Sequence, residues 1–180
     1  MLPSGVVRGR PNPLHAQFAK RLRRARKAAN LSGSALSAAA GLDRGTATAL
    51  ENGGRIPRVD TVEHLARALG RSPCALAFGV EVDCPADDIL HSASLPQRLH
   101  ETRDAMALSL REVARRSKAS ANMVHMTETG QSVPTLATVE TLAAALRVSP
   151  CWLAYGIGPR ELPQRRSRPA PAQPPPTASL

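Results

Sequence analysis

The sequence predicts an all-α protein made of two tandem five-helix domains joined by an acidic linker. One observation behind this is an internal repeat: "TVEHLARALGRSPCALAFG", Thr61 to Gly79, returns as "TVETLAAALRVSPCWLAYG", Thr138 to Gly156. A second is that apolar residues recur at helical spacing within each copy, with no strand pattern to compete. The third is composition. The chain is 42% hydrophobic yet only 2% aromatic, so alanine and leucine must fill its cores. Small helical domains suit such residues better than sheets do.

The offset of 77 residues between the copies holds without a gap well upstream of the quoted stretch. Arg21 matches Arg98, Leu22 matches Leu99, Arg26 matches Arg103, and Leu31-Ser32 matches Leu108-Ser109. Further along, Glu51 matches Glu128, Gly53 matches Gly130, and Pro57 matches Pro134. Two copies are too few for a solenoid, so duplication of a compact domain accounts for them. The expected organisation is a flexible basic arm at 1–13, a first domain at 14–79 and the acidic linker at 80–94. A second domain at 95–158 and a disordered proline- and arginine-rich tail at 159–180 complete it.

Each helix has its own warrant. Phe18, Leu22, Ala25 and Ala29 share one face of a first helix, repeated by Leu95, Leu99, Thr102 and Met106. A short second helix starts after Ser32, with Leu36 inward, and its partner after Ser109, with Val113 inward; both serines suit the N-cap. "AGLDRGTATALENG" then reads as corner, helix and stop: Gly41 makes the turn, Asp43 caps, and Gly53 ends the helix. A fourth helix follows Pro57, with Val62, Leu65, Ala66 and Leu69 inward. A fifth opens at Pro73, where proline fits the first turn. The linker "VEVDCPADDILHSAS" has no Lys or Arg and reads as solvated, with a short helix near Asp88 to His91.

The formal charge of +10 and a pI near 11.1 point to a polyanionic partner. Eight basic side chains and no acid precede Asn30. Of Cys74, Cys84 and Cys151, the two at equivalent places in the repeats, Cys74 and Cys151, read as small buried hydrophobes in a reducing cytoplasm, because a disulfide framework would be denser and evenly counted. No apolar run is long enough to span a membrane, and the start lacks the hydrophobic core of a signal peptide. The histidines at 15, 64, 91, 100 and 125 show no metal-ligand spacing, and no glycine loop cradles a phosphate. No enzyme activity, cofactor or metal is expected.

The combined string resembles one family. "RLRRARKAANLSGSALSAAAGLDRGTATALENGGRIPRVDTVEHLARALGRSP" and "RLHETRDAMALSLREVARRSKASANMVHMTETGQSVPTLATVETLAAALRVSP" are each similar to the lambda repressor-like helix-turn-helix domain of the Cro/XRE type. The resemblance implies that the second helix braces the DNA backbone while the third enters the major groove. It places small Ser37 and Ala114 where those helices cross, and it pairs Arg26 with Glu51 and Arg103 with Glu128 beneath the recognition helices. Lys118 stands where the first copy has Gly41 and must accept a strained backbone or alter the turn. Thr127 replaces the inward Leu50.

Carried over position by position, the base-reading residues are Arg44, Thr46 and Thr48 in the first copy, and Asn122 and His125 in the second. Arg44 suits guanine and Asn122 adenine. Phosphate contacts fall to Arg55 and Arg58, and to Arg111, Arg115 and Lys118. Gly33 and Leu110 stand where the family often has glutamine. The expectation is a bacterial or phage-like transcriptional regulator, cytoplasmic and nucleoid-associated, that binds double-stranded DNA mainly through its first domain. Repression is favoured over activation. The alternative is an adaptor whose second domain, with Met123 and Met126 exposed, forms a homodimer or holds a protein partner.

Overall fold

The computed structural model describes residues 13–83 and 91–161. Among them the regular elements are ten α-helices and one short 3-10 helix, His91–Ser94. The first unit contains α1 (Pro13–Ala28), α2 (Gly33–Ala39), α3 (Thr46–Glu51), α4 (Val59–Ala68) and α5 (Pro73–Phe78). The second contains α6 (Leu95–Ala105), α7 (Leu110–Ser117), α8 (Ala121–Glu128), α9 (Leu136–Leu146) and α10 (Pro150–Tyr155). The two tandem five-helix units expected from the repeat are present. The basic arm, the stretch around Asp88 and most of the tail lie outside the described residues.

Local chemistry sets the boundaries. Ser32 accepts from Ala35 N and Ser109 from Glu112 N, which satisfies backbone donors that a helix start leaves open. Ser72 and Ser149 cap α5 and α10 in the same way, each followed by proline in the first turn. The start of α3 differs from expectation. Gly45, not Asp43, is its N-cap, and Asp43 contributes only its backbone carbonyl, to Thr46 N.

Within each unit the inward faces close on one another: Phe18, Leu22, Leu36, Leu50, Val62 and Leu65 are buried in the first. Leu95, Leu99, Val113, Val124, Val139 and Leu142 are buried in the second. The two cores form a single cluster. This continuity comes from a junction that pairs equivalent residues of the repeat. Val59 N donates to Pro134 O at 3.1 Å, and Leu136 N donates to Pro57 O at 3.0 Å. Arg58 and Thr135, themselves equivalent, form an antiparallel bridge. A contact that pairs each position with its own counterpart is isologous, so the units are related by a local two-fold axis.

The same axis passes between Cys74 and Cys151, equivalent residues whose side chains form a disulfide with Cα atoms 5.5 Å apart. Both are buried, as their sequence context implied, but they are bonded to each other. Only docking of α5 on α10 brings them together, so their spacing along the chain gave no sign of it. The cysteines therefore no longer argue for a reducing compartment. Tyr155 is fully buried and donates its hydroxyl to Val59 O across the junction.

The end of the linker is also held. Glu63, 1% exposed on α4, accepts from His91 N at 2.7 Å and Ser92 N at 2.9 Å. A carboxylate so buried is tolerable because both oxygens are hydrogen-bonded. Residues 91–94 are therefore packed against both units, unlike the solvated segment expected.

Removing the bridge should release the junction in the unfolded state. Cys151→Ala is expected to lower unfolding free energy by about 2–4 kcal/mol under oxidising conditions, because the closed loop is long. Urea unfolding of both proteins with and without reductant checks this. An unchanged midpoint would contradict it.

Candidate DNA interface

The chain reverses between α2 and α3 through a tight corner. Gly41 has φ 65°, and Leu42 N donates to Ser37 O at 2.8 Å. Ser37 is buried where the helices cross. Its hydroxyl donates to Gly33 O and accepts from Ala47 N, both at 3.0 Å. It thereby supplies the cap that Gly45 cannot. The helices approach closely here: a Cβ on Gly33 would sit 2.3 Å from Thr48 Oγ1. Thr48 fills the place of a side chain at the start of α2. The second unit builds the same corner with different means. Lys118 takes φ 57° at the position of Gly41, Ala119 N donates to Ala114 O at 3.0 Å, and Ser120 caps α8 at Met123 N. The strained backbone expected at Lys118 is present, at a cost of about 1–2 kcal/mol relative to glycine.

The sequence-selected residues separate by exposure. Arg44 and Thr48 are exposed beside and on α3, and Asn122 and His125 are exposed on α8. Thr46 is not. It is 5% exposed, and its hydroxyl accepts from Arg55 Nη1 at 3.4 Å. The first residue of α3 points back into the packing, which removes it from the base-reading set. Met123 and Met126 are half-buried instead of exposed. The smaller Thr127 stands where the first unit has Leu50, and its hydroxyl lies 2.8 Å from Met123 O and 3.6 Å from Met123 Sδ.

The basic residues are unequally free. Arg55 is exposed beside the start of α3. Arg58 is about half exposed, carries the junction bridge on its backbone, and pairs with Asp60 at 3.2 Å. Arg111 and Lys118 are exposed. Arg115 binds Glu112 through two hydrogen bonds of 3.0 and 2.7 Å, and Arg116 binds the same carboxylate at 2.8 Å. Arg115 and then Arg116 hold the Glu112 pKa down at about 2. A phosphate approaching Arg115 must compete with that carboxylate.

Comparison with protein families gives a match to a model of a helix-turn-helix domain twice, over residues 17–78 and 95–154. The chain belongs to the helix-turn-helix family. It is a DNA-binding protein with tandem helix-turn-helix units. Comparison with curated proteins and with solved structures gives no match. Among its described residues, no helix is long and apolar enough to cross a membrane.

In this helix-turn-helix protein an arginine-carboxylate fork holds the third helix of each unit to the first. Arg26 donates to Glu51 from Nε at 2.6 Å and from Nη2 at 2.9 Å, with Nη1 on Leu31 O at 2.8 Å. Arg103 repeats this with Glu128 at 2.6 and 3.3 Å and Leu108 O at 2.9 Å. Hydrogen bonding to Arg26 is the main cause that lowers the Glu51 pKa, against the opposing effect of burial.

Sequence reasoning missed a third member of each cluster. Arg23 adds bonds to the Glu51 carboxylate and backbone, and His100 at the equivalent position lies 3.5 Å from Glu128. It also missed the role of Arg21 and Arg98. Arg21 donates to Leu76 O and Ala77 O, and Arg98 to Leu153 O and Ala154 O, closing the end of the fifth helix in both units. Their identity across the repeat was the available signal.

Glu51→Ala strands a shielded guanidinium and should cost about 3 kcal/mol of stability near neutral pH. The carboxylate pKa is lower when folded, so its contribution is present above the unfolded value of about 4.3 and fades as pH falls through the folded one. Urea unfolding at neutral and acidic pH should therefore show the gap between wild type and variant narrowing in acid. A gap that stays constant would refute the pairing.

Proposed function

We propose that the protein is a sequence-specific transcriptional regulator that grips one duplex site with both helix-turn-helix units held as a fixed pair. The observation that carries this reading is the reciprocal junction, in which equivalent residues meet across a local two-fold axis. Two readers so joined engage DNA together, and the second binding step becomes intramolecular. A duplex has its own local two-fold axes, so half-sites related by one suit such a pair. The face that two copies would use to form a homodimer is occupied within the chain, which favours a single chain on its site.

The half-sites differ because the readers differ. Arg44, with Thr48 beside it, addresses guanine in one; Asn122 and His125 address the other. Arg55 and Arg58 fasten the first unit to phosphates, while Arg111, Arg115 and Lys118 serve the second. The hold of Glu112 on Arg115 and Arg116 supports the first unit as the stronger binder. It also favours the second reading, in which the second unit serves a protein partner. The half-buried Met123 and Met126 offer such a partner less apolar surface than the sequence promised. Repression is favoured, since a chain seated on its site excludes other proteins from it. The setting is a bacterial or phage-infected cytoplasm, on the nucleoid.

Sites selected from random duplexes and measured by fluorescence anisotropy test this. Arg44→Ala should weaken binding by about 1–3 kcal/mol and relax one base position. Arg55→Ala should weaken all sites alike and flatten the slope of log affinity against log salt by about 0.9. Failure of the intact chain to bind any duplex in low salt would overturn the reading.

A further inference from the structure

We propose that the cleft between α1 and α5 is a binding site for a small organic anion, one that carries a carboxylate or phosphate group on a short apolar body. The cavity is about 270 Å³, with Arg21, Arg24 and Arg71 around it and Ala25, Ala75 and Leu76 as its apolar lining. Three arginines line one cleft, and the forked donors of a guanidinium match the planar, two-oxygen edge of such an anion.

The second unit serves as an internal control, because the repeat places an equivalent residue at every one of these positions. Of the three arginines only Arg21 is kept, as Arg98, while apolar Leu76 is kept as Leu153. Glu101 stands in place of Arg24 and Val148 in place of Arg71. Trp152 occupies the position of Ala75, and the guanidinium of Arg160 lies over its ring at 4.9 Å. The same fold thus has a bulky aromatic ring with Arg98, Arg160 and Glu101 where the first unit has a small residue with Arg21, Arg24, Arg71 and Glu81. This lining is a property of the first copy and not of the fold.

Arg21 keeps one nitrogen, Nη1, beside Gly79 of the cleft lining. Its Nε and Nη2 are committed to carbonyls of α5, while Nη1 runs beside Gly79, 3.4 Å from where a Cβ would stand. Burial lowers the Arg21 pKa, an effect that Glu140 offsets in part, so an added negative charge would relieve a desolvated cation. Glu81 also lines the cleft and lies 3.9 Å from Arg71, but both side chains are largely exposed. An exposed pair at that distance is weak, and an incoming anion can displace it. Arg24 has no acid partner among the described residues.

Isothermal titration calorimetry of the full chain tests the proposal, with succinate and inorganic phosphate as separate probes and sodium chloride at matched ionic strength as reference. One saturable site for succinate or phosphate, absent with chloride, is expected; which probe binds identifies the head group. Ala75→Trp, a side chain the second unit already seats, should weaken that site by at least about tenfold, as should the surface change Arg24→Glu. Circular dichroism melting establishes that each variant is folded. Unaltered affinity in both variants overturns the proposal, and so does the lack of a saturable site for either probe. Duplex binding is followed on the same proteins. Unchanged DNA affinity in the variants supports a separate small-anion site, whereas a parallel loss of DNA affinity and salt slope makes the cleft a DNA-backbone contact and overturns it. Loss of duplex binding by the wild type would bear on the regulator reading and leave this site untouched.

Discussion

How this protein sets its two helix-turn-helix units against each other depends on the short antiparallel contact between Pro57–Val59 and Pro134–Leu136. Two backbone hydrogen bonds are modest in energy. Their importance is geometric, since each residue meets its own counterpart and fixes a two-fold relation that the disulfide and the buried Tyr155 then reinforce. A pair of free helix-turn-helix chains would have to find this arrangement by diffusion and meet the entropy of association. Fusion in one chain removes that cost and leaves each copy free to diverge.

Divergence is visible in the backbone. The fold demands a left-handed residue after the second helix of each unit and again after the fourth. The first unit meets both demands with Gly41 and Gly70, the second with Lys118 and Arg147. Side chains are strained in that region, so the second unit holds its shape at a higher local cost. In exchange it gains cations at exposed corners, although Glu112 pairs with two of its other arginines.

The Arg26–Glu51 and Arg103–Glu128 forks survive this drift, as does the clamp of Arg21 and Arg98 on the last helix. These groups share a trait: each is shielded, and each satisfies several donors or acceptors at once. Losing one partner of such a set leaves a buried charge unmatched, which a marginally stable unit tolerates poorly. Surface positions carry no such penalty, and there the copies differ, as at Arg24 against Glu101.

The ten helices and the serine caps of α2 and α7 were legible in the sequence, because periodicity and capping are local properties that a chain carries with it, whereas the Arg–Glu forks were legible only through the family resemblance. Arg44, Thr48, Asn122 and His125, the proposed base readers, are exposed, as helical periodicity places them. Thr46, the two methionines and the true cap of α3 were misjudged, since each depends on how one helix settles against its neighbour. The Cys74–Cys151 bond, the burial of Glu63 and the α1–α5 cleft belong to tertiary structure alone. They arise between segments many residues apart, where no local preference operates and packing across a two-fold axis decides which groups meet.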